Sequence, residues 1–268
     1  MFAMPPAPPI TMSATTRVPR PRSSDPVVVD PGDSPSPTQG PVRPVVPVVA
    51  PATPFGPDVS NWSNFVNWPI VAAPQPRSIG GVRQVSFAFT KATEGTWVDP
   101  TLAANWSGMR AARLVRGAYD FANFKKNPVS DARFYVRAMT RAGGLGKTGD
   151  FAVLDAESVT KGSKRMTVKW IKRWTAEVRR LTGYKPSRIV IYTGAWWWKP
   201  HTGNSKAFAK LGYRLWLSGY SGNAPSLPGW KWSWWQYTDR GQVPGVVGGS
   251  DASVWRGTVE SLRAASRA

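Results

Sequence analysis

The chain of 268 residues has no cysteine and a single histidine, His201. Without cysteine neither a disulfide nor a thiolate metal site can form, and the redox compartment is left open. One histidine excludes multi-histidine metal centres and makes any Ser-His-Asp arrangement depend on that residue. No metal and no cofactor is therefore expected. No apolar run approaches the ~20 residues needed to span a bilayer, so membrane insertion is not expected either. Prolines interrupt the N-terminal residues throughout, and an ordinary secretory signal, with a basic start and a clean apolar stretch, is not expected there. Acid is scarce as well, with 15 Asp and Glu against 35 Lys and Arg and a net charge of +20.

Proline is plentiful but unevenly placed. Residues 1–54 hold fifteen of the 26, in runs such as Pro5-Pro6-Ala7-Pro8-Pro9. A stretch so poor in large apolar side chains cannot recover its ordering entropy by burial, and a disordered, partly polyproline-II tail or linker is expected. Residues 55–268 suffice for one barrel-sized domain. That domain carries +19 of the charge, because four arginines and three aspartates nearly cancel in the tail. Such a surface attracts polyanions, whether nucleic acid or an anionic bacterial envelope.

From Pro57 onward, short apolar runs alternate with amphipathic stretches. The patterning predicts strands at Pro57–Ser60, Val85–Thr90, Leu114–Tyr119, Phe151–Asp155, Arg188–Tyr192, Leu215–Ser218, Ser233–Tyr237 and Val246–Gly249. Helices are predicted at Pro100–Ala112, Pro128–Ala142 and Thr167–Thr182, the last with Val168, Ile171, Trp174, Val178 and Leu181 on one face and Gly183 as its stop. Strands alternating with helices favour a parallel sheet, and eight of them favour a TIM-like α/β barrel. The last strands follow one another through short turns, so the second half is expected to be less regular.

In such a barrel, chemistry gathers at the carboxyl ends of the strands. The predicted ends carry Asp58, Lys91 with Glu94, Tyr119-Asp120, Asp155 with Glu157, Tyr192, Gln236-Tyr237 and Asp251. Five or six of the domain's twelve acidic residues fall there. Asp155 and Glu157, two residues apart on a strand, would share a face with Cα atoms roughly 6.5 Å apart. Taken alone, Asp155 could cap a helix and Glu157 could be solvated. The gathering of acids at the other ends favours a pair built for acid catalysis on a glycosidic bond.

The ordered blocks Gly56-Pro57-Asp58-Val59-Ser60, Phe89-Thr90-Lys91-Ala92-Thr93-Glu94-Gly95 with Asp99, Gly117-Ala118-Tyr119 with Phe121-Ala122, Leu154-Asp155-Ala156-Glu157, Trp235-Gln236-Tyr237-Thr238 and Asp251-Ala252-Ser253-Val254-Trp255 resemble those of the glycoside hydrolase family 25 lysozymes, the N-acetylmuramidases. Each block is weak alone; the ordered set covers nearly the whole domain. Departures are Asp120, where similar proteins usually carry histidine, and Ser253 and Trp255, where they carry asparagine and phenylalanine. The resemblance implies a flattened (β/α)5(β)3 barrel of eight strands and five helices. It also implies cleavage of the β-1,4 bond between N-acetylmuramic acid and N-acetylglucosamine in peptidoglycan. Glu157 matches the proton donor, and Asp58, Asp155 and Asp251 match the surrounding aspartates.

Glu157 is accordingly expected to be the general acid, with its pKa raised by burial and by Asp155 and Asp251. For Asp155 two roles stay open: direct nucleophile, or stabiliser of a ring attacked by the substrate's own N-acetyl group. Asp58 would hold the environment of Asp155 or the attacking water, and Asp251 would tune the site electrostatically. Tyr119, Tyr192, Trp235, Gln236, Tyr237, Asp120 and Glu94 complete the expected substrate-binding set, with the tyrosines and Trp235 stacking on sugar. Trp196-Trp197-Trp198 stands where it could wall the groove, while Lys91 and Glu94 suggest a structural pair. Expected partners are peptidoglycan and anionic wall polymers, met by a monomer. Nucleic acid is disfavoured because the strand ends are acidic rather than basic. The expected setting is a phage endolysin made in the host cytoplasm and released through a holin-type pore; a secreted autolysin would share the chemistry. A non-catalytic wall-binding barrel would lack a site carboxylate, and none is missing.

Overall fold

The computed structural model describes residues 53–74, 84–146, 149–160 and 162–268. The proline-rich stretch up to residue 52 lies outside the described residues.

Nine strands and seven helices are described: β1 (Phe55–Val59), α1 (Trp68–Ala72), β2 (Phe87–Glu94), β3 (Trp97–Val98), α2 (Leu102–Ala111), β4 (Val115–Phe121), α3 (Pro128–Arg141), β5 (Asp150–Asp155), α4 (Lys164–Thr182), β6 (Ile189–Gly194), α5 (Ala195–Thr202), α6 (Ala207–Lys210), β7 (Arg214–Ser218), β8 (Trp234–Gly241), β9 (Ser250–Trp255) and α7 (Val259–Ala265). Pairing runs β1-β9-β8-β7-β6-β5-β4-β2, and β1 also pairs with β2, so eight strands close into a barrel. The two-residue β3 only folds back on the end of β2. Helices follow each of β1, β2, β4, β5 and β6, whereas β7, β8 and β9 succeed one another without one. The expected (β/α)5(β)3 order is therefore present; α6 and α7 add two short helices to the five implied by the resemblance.

Continuous apolar runs form the central strands because a barrel strand is covered on both faces. Alternate residues of β2, β4, β5, β6, β7 and β8 point inward and build one cluster of Phe87, Phe89, Phe151, Val153, Trp216 and Trp234 with their neighbours. The rings interlock there: Phe89 stacks on Trp216 at 4.3 Å, and Trp234 meets Phe151 edge-on at 5.0 Å. Gly117 makes this filling fit, since a Cβ there would come within 2.3 Å of the Phe89 ring. The outward residues, Ala118, Leu154, Ile191 and Leu217 among them, join the apolar faces of the helices in a second, larger cluster. On α4, Trp170, Ile171, Trp174 and Val178 form the buried stripe, and Gly183 closes the helix at φ 72°. Leu181, expected on that stripe, is exposed in the last turn.

The predicted eighth strand at Val246–Gly249 is displaced. Gly245, Gly248 and Gly249 adopt φ between 83° and 91°, which breaks an extended run, and Val246 makes only an isolated bridge to Val66. The strand lies at Ser250–Trp255 and is antiparallel to both β8 and β1. Its direction matters for the site: Asp251 stands near the beginning of its strand, yet at the same mouth of the barrel where the parallel strands end.

Candidate active site

Register pairs build the mouth of the barrel. Asp58 on β1 is opposite Asp251 on β9, Asp155 ends β5 opposite Tyr192 on β6, and Ser218 on β7 is opposite Gln236 on β8. Asp155, Ser218 and Gln236 each stand two residues beyond an inward residue of the filling, Val153, Trp216 and Trp234, so the apolar plug is the floor of the acidic cluster. Asp58, Asp155 and Gln236 are buried, and Glu157, just past the end of β5, is half-buried.

Gln236 ties the cluster together. Its amide Nε2 donates to Asp58 Oδ2 at 3.1 Å and to Asp251 Oδ2 at 3.2 Å. Its Oε1 accepts from the hydroxyls of Tyr192 at 2.8 Å and Tyr220 at 2.7 Å. One amide thereby faces two carboxyl groups with its donor end and two phenols with its acceptor end, which fixes its orientation.

Every carboxyl group here with a shifted pKa is shifted upward. Glu157 moves from 4.5 to about 7, through burial and the nearby Asp251 charge, with the neighbouring Tyr192 hydroxyl acting the other way. Asp58 is raised by burial and then by Asp251, with the Gln236 hydrogen bond opposing and Glu157 adding. Asp155 is raised by burial and by Glu157, while the Lys91 ammonium pulls the other way. Among the described residues, the buried Asp155 Oδ1 has no hydrogen-bond partner. Neighbouring carboxyls that cannot all ionise keep one protonated, which sets an acid and a carboxylate side by side near neutrality.

Lys91 holds a second edge of the mouth. Its ammonium bonds Glu94 Oε2 at 2.6 Å and lies 5.4 Å and 5.1 Å from the ring centres of Trp97 and Phe121. Glu94 itself is exposed beside a cavity of about 420 Å³ that Asn61, Trp62, Trp97, Asn123 and Lys126 also line. Asp99 is structural: it accepts from the backbone N–H of Asn61 at 3.0 Å and of Thr101 at 2.8 Å, joining the turn after β1 to the start of α2.

The sequence-predicted residues divide by strand face. Glu157, Asp155, Asp58, Asp251, Gln236 and Tyr192 are brought together, and the half-buried Tyr119 packs against the inner cluster on the same side. Asp120, Trp235 and Tyr237 are not, because each is next in sequence to an inward residue and so points outward. Asp120 is fully buried, accepting from Thr93 Oγ1 at 2.6 Å and Trp174 Nε1 at 2.8 Å. Trp235 donates to Gly219 O at 2.8 Å and packs against Trp232 and Tyr237, and Tyr237 packs against Phe55. None of the three is placed to touch a ligand at the mouth. Of the tryptophan triplet, Trp197 and Trp198 are core and only Trp196 is exposed. Trp62, Trp97 and Tyr220 were not anticipated; all three are exposed on the segments following β1, β2 and β7. Their position just after strand ends was the available signal.

The sequence profile of the glycosyl hydrolases family 25 matches residues 57–246. The uncharacterized protein YegX of Escherichia coli strain K12 is 36% identical over 211 residues, covering 78% of this chain and 72% of that protein. Lysozyme M1 of Streptomyces globisporus is 31% identical over 217 residues, covering 78% and 70%. Among solved structures, a bacterial lysozyme from Streptomyces coelicolor superposes with a TM-score of 0.70 at 30% identity, covering 80% of this chain and 97% of that one. The profile stops before β9, so Asp251 takes its place by the pairing that closes the barrel. Barrel, acidic mouth and profile agree: the chain belongs to glycosyl hydrolase family 25.

Proposed function

We propose that the chain is a lysozyme that hydrolyses the β-1,4 bond between N-acetylmuramic acid and N-acetylglucosamine in peptidoglycan. The observation that supports this most is Glu157, held near pKa 7 beside Asp155. As an acid, Glu157 gives its proton to the glycosidic oxygen while the bond to the anomeric carbon breaks. Positive charge grows on the ring, and Asp155 is the carboxylate that faces it. In the route we favour, the substrate's acetamido oxygen closes on the anomeric carbon and Asp155 accepts from the amide N–H. Water then opens this ring and returns a proton to Glu157. Gln236 holds Asp58 and Asp251 in place, and the charge of Asp251 helps to keep Glu157 protonated. The exposed Trp62, Trp97, Trp196 and Tyr220 offer faces for sugar rings.

Digestion of purified peptidoglycan by the wild type and by Glu157→Gln, with the new reducing ends identified by mass spectrometry, tests the reading. Reducing N-acetylmuramic acid from the wild type alone supports it. Reducing N-acetylglucosamine, or no cleavage, overturns it.

As the setting we propose lysis from within, the enzyme being made in the host cytoplasm and reaching the wall through a pore formed by another protein. Cells expressing the chain should lyse only when a pore-former is co-expressed. Lysis without one would favour a secreted autolysin of the same chemistry.

A further inference from the structure

The two helices α3 and α4 pack side by side on the outside of the barrel, and every charged residue exposed on them is cationic. Arg133, Arg137 and Arg141 on α3 are exposed, as are Lys164, Arg165, Lys169, Lys172, Arg173, Arg179 and Arg180 on α4. The carboxyl residues of these helices, Asp131 and Glu177, are both buried. Glu177 binds Arg133 at 2.6 Å and Arg180 at 2.8 Å, bridging the helices. Among the described residues, no other ion pair engages the cations of this face. Along α4 the stripe Arg165, Lys169, Lys172 and Arg179 follows steps of four, three and seven, so it runs down one side of a helix roughly 28 Å long.

We propose that this α3–α4 face is a docking surface for a linear phosphodiester polymer of the bacterial cell wall. The proposal rests on the peptidoglycan reading above and deepens it, since it names what holds the enzyme to its insoluble substrate. A row of solvated ammonium and guanidinium groups matches a flexible chain of phosphates by charge, and arginine adds paired donors for phosphate oxygens. The aromatic side chains of the two helices are buried except for Phe134, which is half-buried beside the Arg137 guanidinium, and this scarcity of open rings favours a phosphodiester chain without bases. The barrel mouth, where Asp58, Asp155, Glu157 and Asp251 gather, offers the polymer no comparable row of cations. The two regions therefore divide the work, the wall of the barrel holding the phosphodiester polymer while the mouth is left to the glycan.

The test compares the wild type with a variant carrying Lys169→Gln, Lys172→Gln, Arg173→Gln and Arg179→Gln, which leaves the Glu177 bridge intact. Each is sedimented with isolated walls that retain their phosphodiester polymer and with the same walls stripped of it by hydrofluoric acid. At low salt the variant should be retained on intact walls at least about tenfold less than the wild type. Stripping should bring the wild type down to the level of the variant, and salt at about 0.5 M should release both. Equal retention of the two proteins on intact walls, or equal retention of the wild type on intact and stripped walls, overturns the proposal. So does loss of duplex-DNA binding by the variant while its wall retention is unchanged. Cleavage of a soluble peptidoglycan oligomer of alternating N-acetylglucosamine and N-acetylmuramic acid, free of the phosphodiester polymer, should be the same for both proteins. If neither cleaves it, the enzymatic reading fails, while the sedimentation arms still decide the surface.

Discussion

Glu157 and Glu177 are the same residue type in two regions that treat charge in opposite ways. At the barrel mouth Glu157 stands among Asp58, Asp155 and Asp251, and its pKa rises to about 7. On the outer wall Glu177 is clamped by hydrogen bonds from Arg180 and Arg133 and its pKa falls to about 2. The mouth brings acids together with little counter-charge, Lys91 being the cation that acts on Asp155. The wall spreads cations in water, where repulsion is screened, and gives its carboxylate two partners. Strain among like charges is thus kept where proton transfer needs it, and is relieved where only structure is at stake.

The sharpest way to break this contrast is to neutralise each glutamate in turn. Glu157→Gln should lower kcat about 10³-fold on peptidoglycan, measured as reducing ends released, because an amide cannot donate the proton. Glu177→Gln should leave kcat unchanged. The floor of the mouth comes next: Trp234→Ala should cost about 3–5 kcal/mol in urea unfolding, since the ring fills the barrel under the acids and the neighbours cannot close the gap.

Lys91→Met, whose effect should be about tenfold on kcat at neutral pH, sharpens the comparison from the other side. It removes the charge that opposes the rise of Asp155, so the acidic limb of the rate profile should move toward neutrality. A profile that does not move would mean Asp155 is not needed as a carboxylate. In the wild type the alkaline limb should fall as pH rises through about 7, where Glu157 loses its proton.

Stability against pH gives the smallest predicted effects, with opposite signs for the two regions. Glu157, and Asp131 raised from 3.8 to about 6, bind protons more tightly folded than unfolded. Their contribution is full below the unfolded values and is lost as pH rises through about 6 to 7. Glu177, lowered from 4.5 to about 2, contributes above its unfolded value and loses that as pH falls toward 2. Tm should therefore peak close to the unfolded carboxyl values, at or just below about pH 4.5, and decline from there toward about pH 7. Glu177→Gln should flatten the acid side by no more than about 1 kcal/mol, because both arginines are largely exposed. A Tm that climbs steadily from pH 5 to 8 would contradict the burial of the mouth carboxyls.

Much of the fold is legible because β5 and β6 are largely apolar on both faces, β2 and β4 begin as apolar runs, and α4 is apolar on one face. The eighth strand was not, since Asp251 and Ser253 turn polar groups inward, while the more apolar Val246-Val247 pair is a glycine-bounded turn. The acids that matter were legible from their place at strand ends. Asp120, Trp235 and Tyr237 were misplaced by treating adjacent residues as if they shared a face.

Composition and order alone determined the class of chemistry: no thiol, one histidine, a barrel-length alternation of strands and helices, and carboxyl groups at the strand ends. These follow from residue type and local periodicity, which any chain carries before it folds. Closure decided the rest. Only when β9 runs back against β1 does Asp251 meet Asp58, only then does Gln236 reach both, and only burial among those charges raises Glu157 to about 7. Those are properties of distances between residues far apart in sequence, and tertiary packing alone sets them.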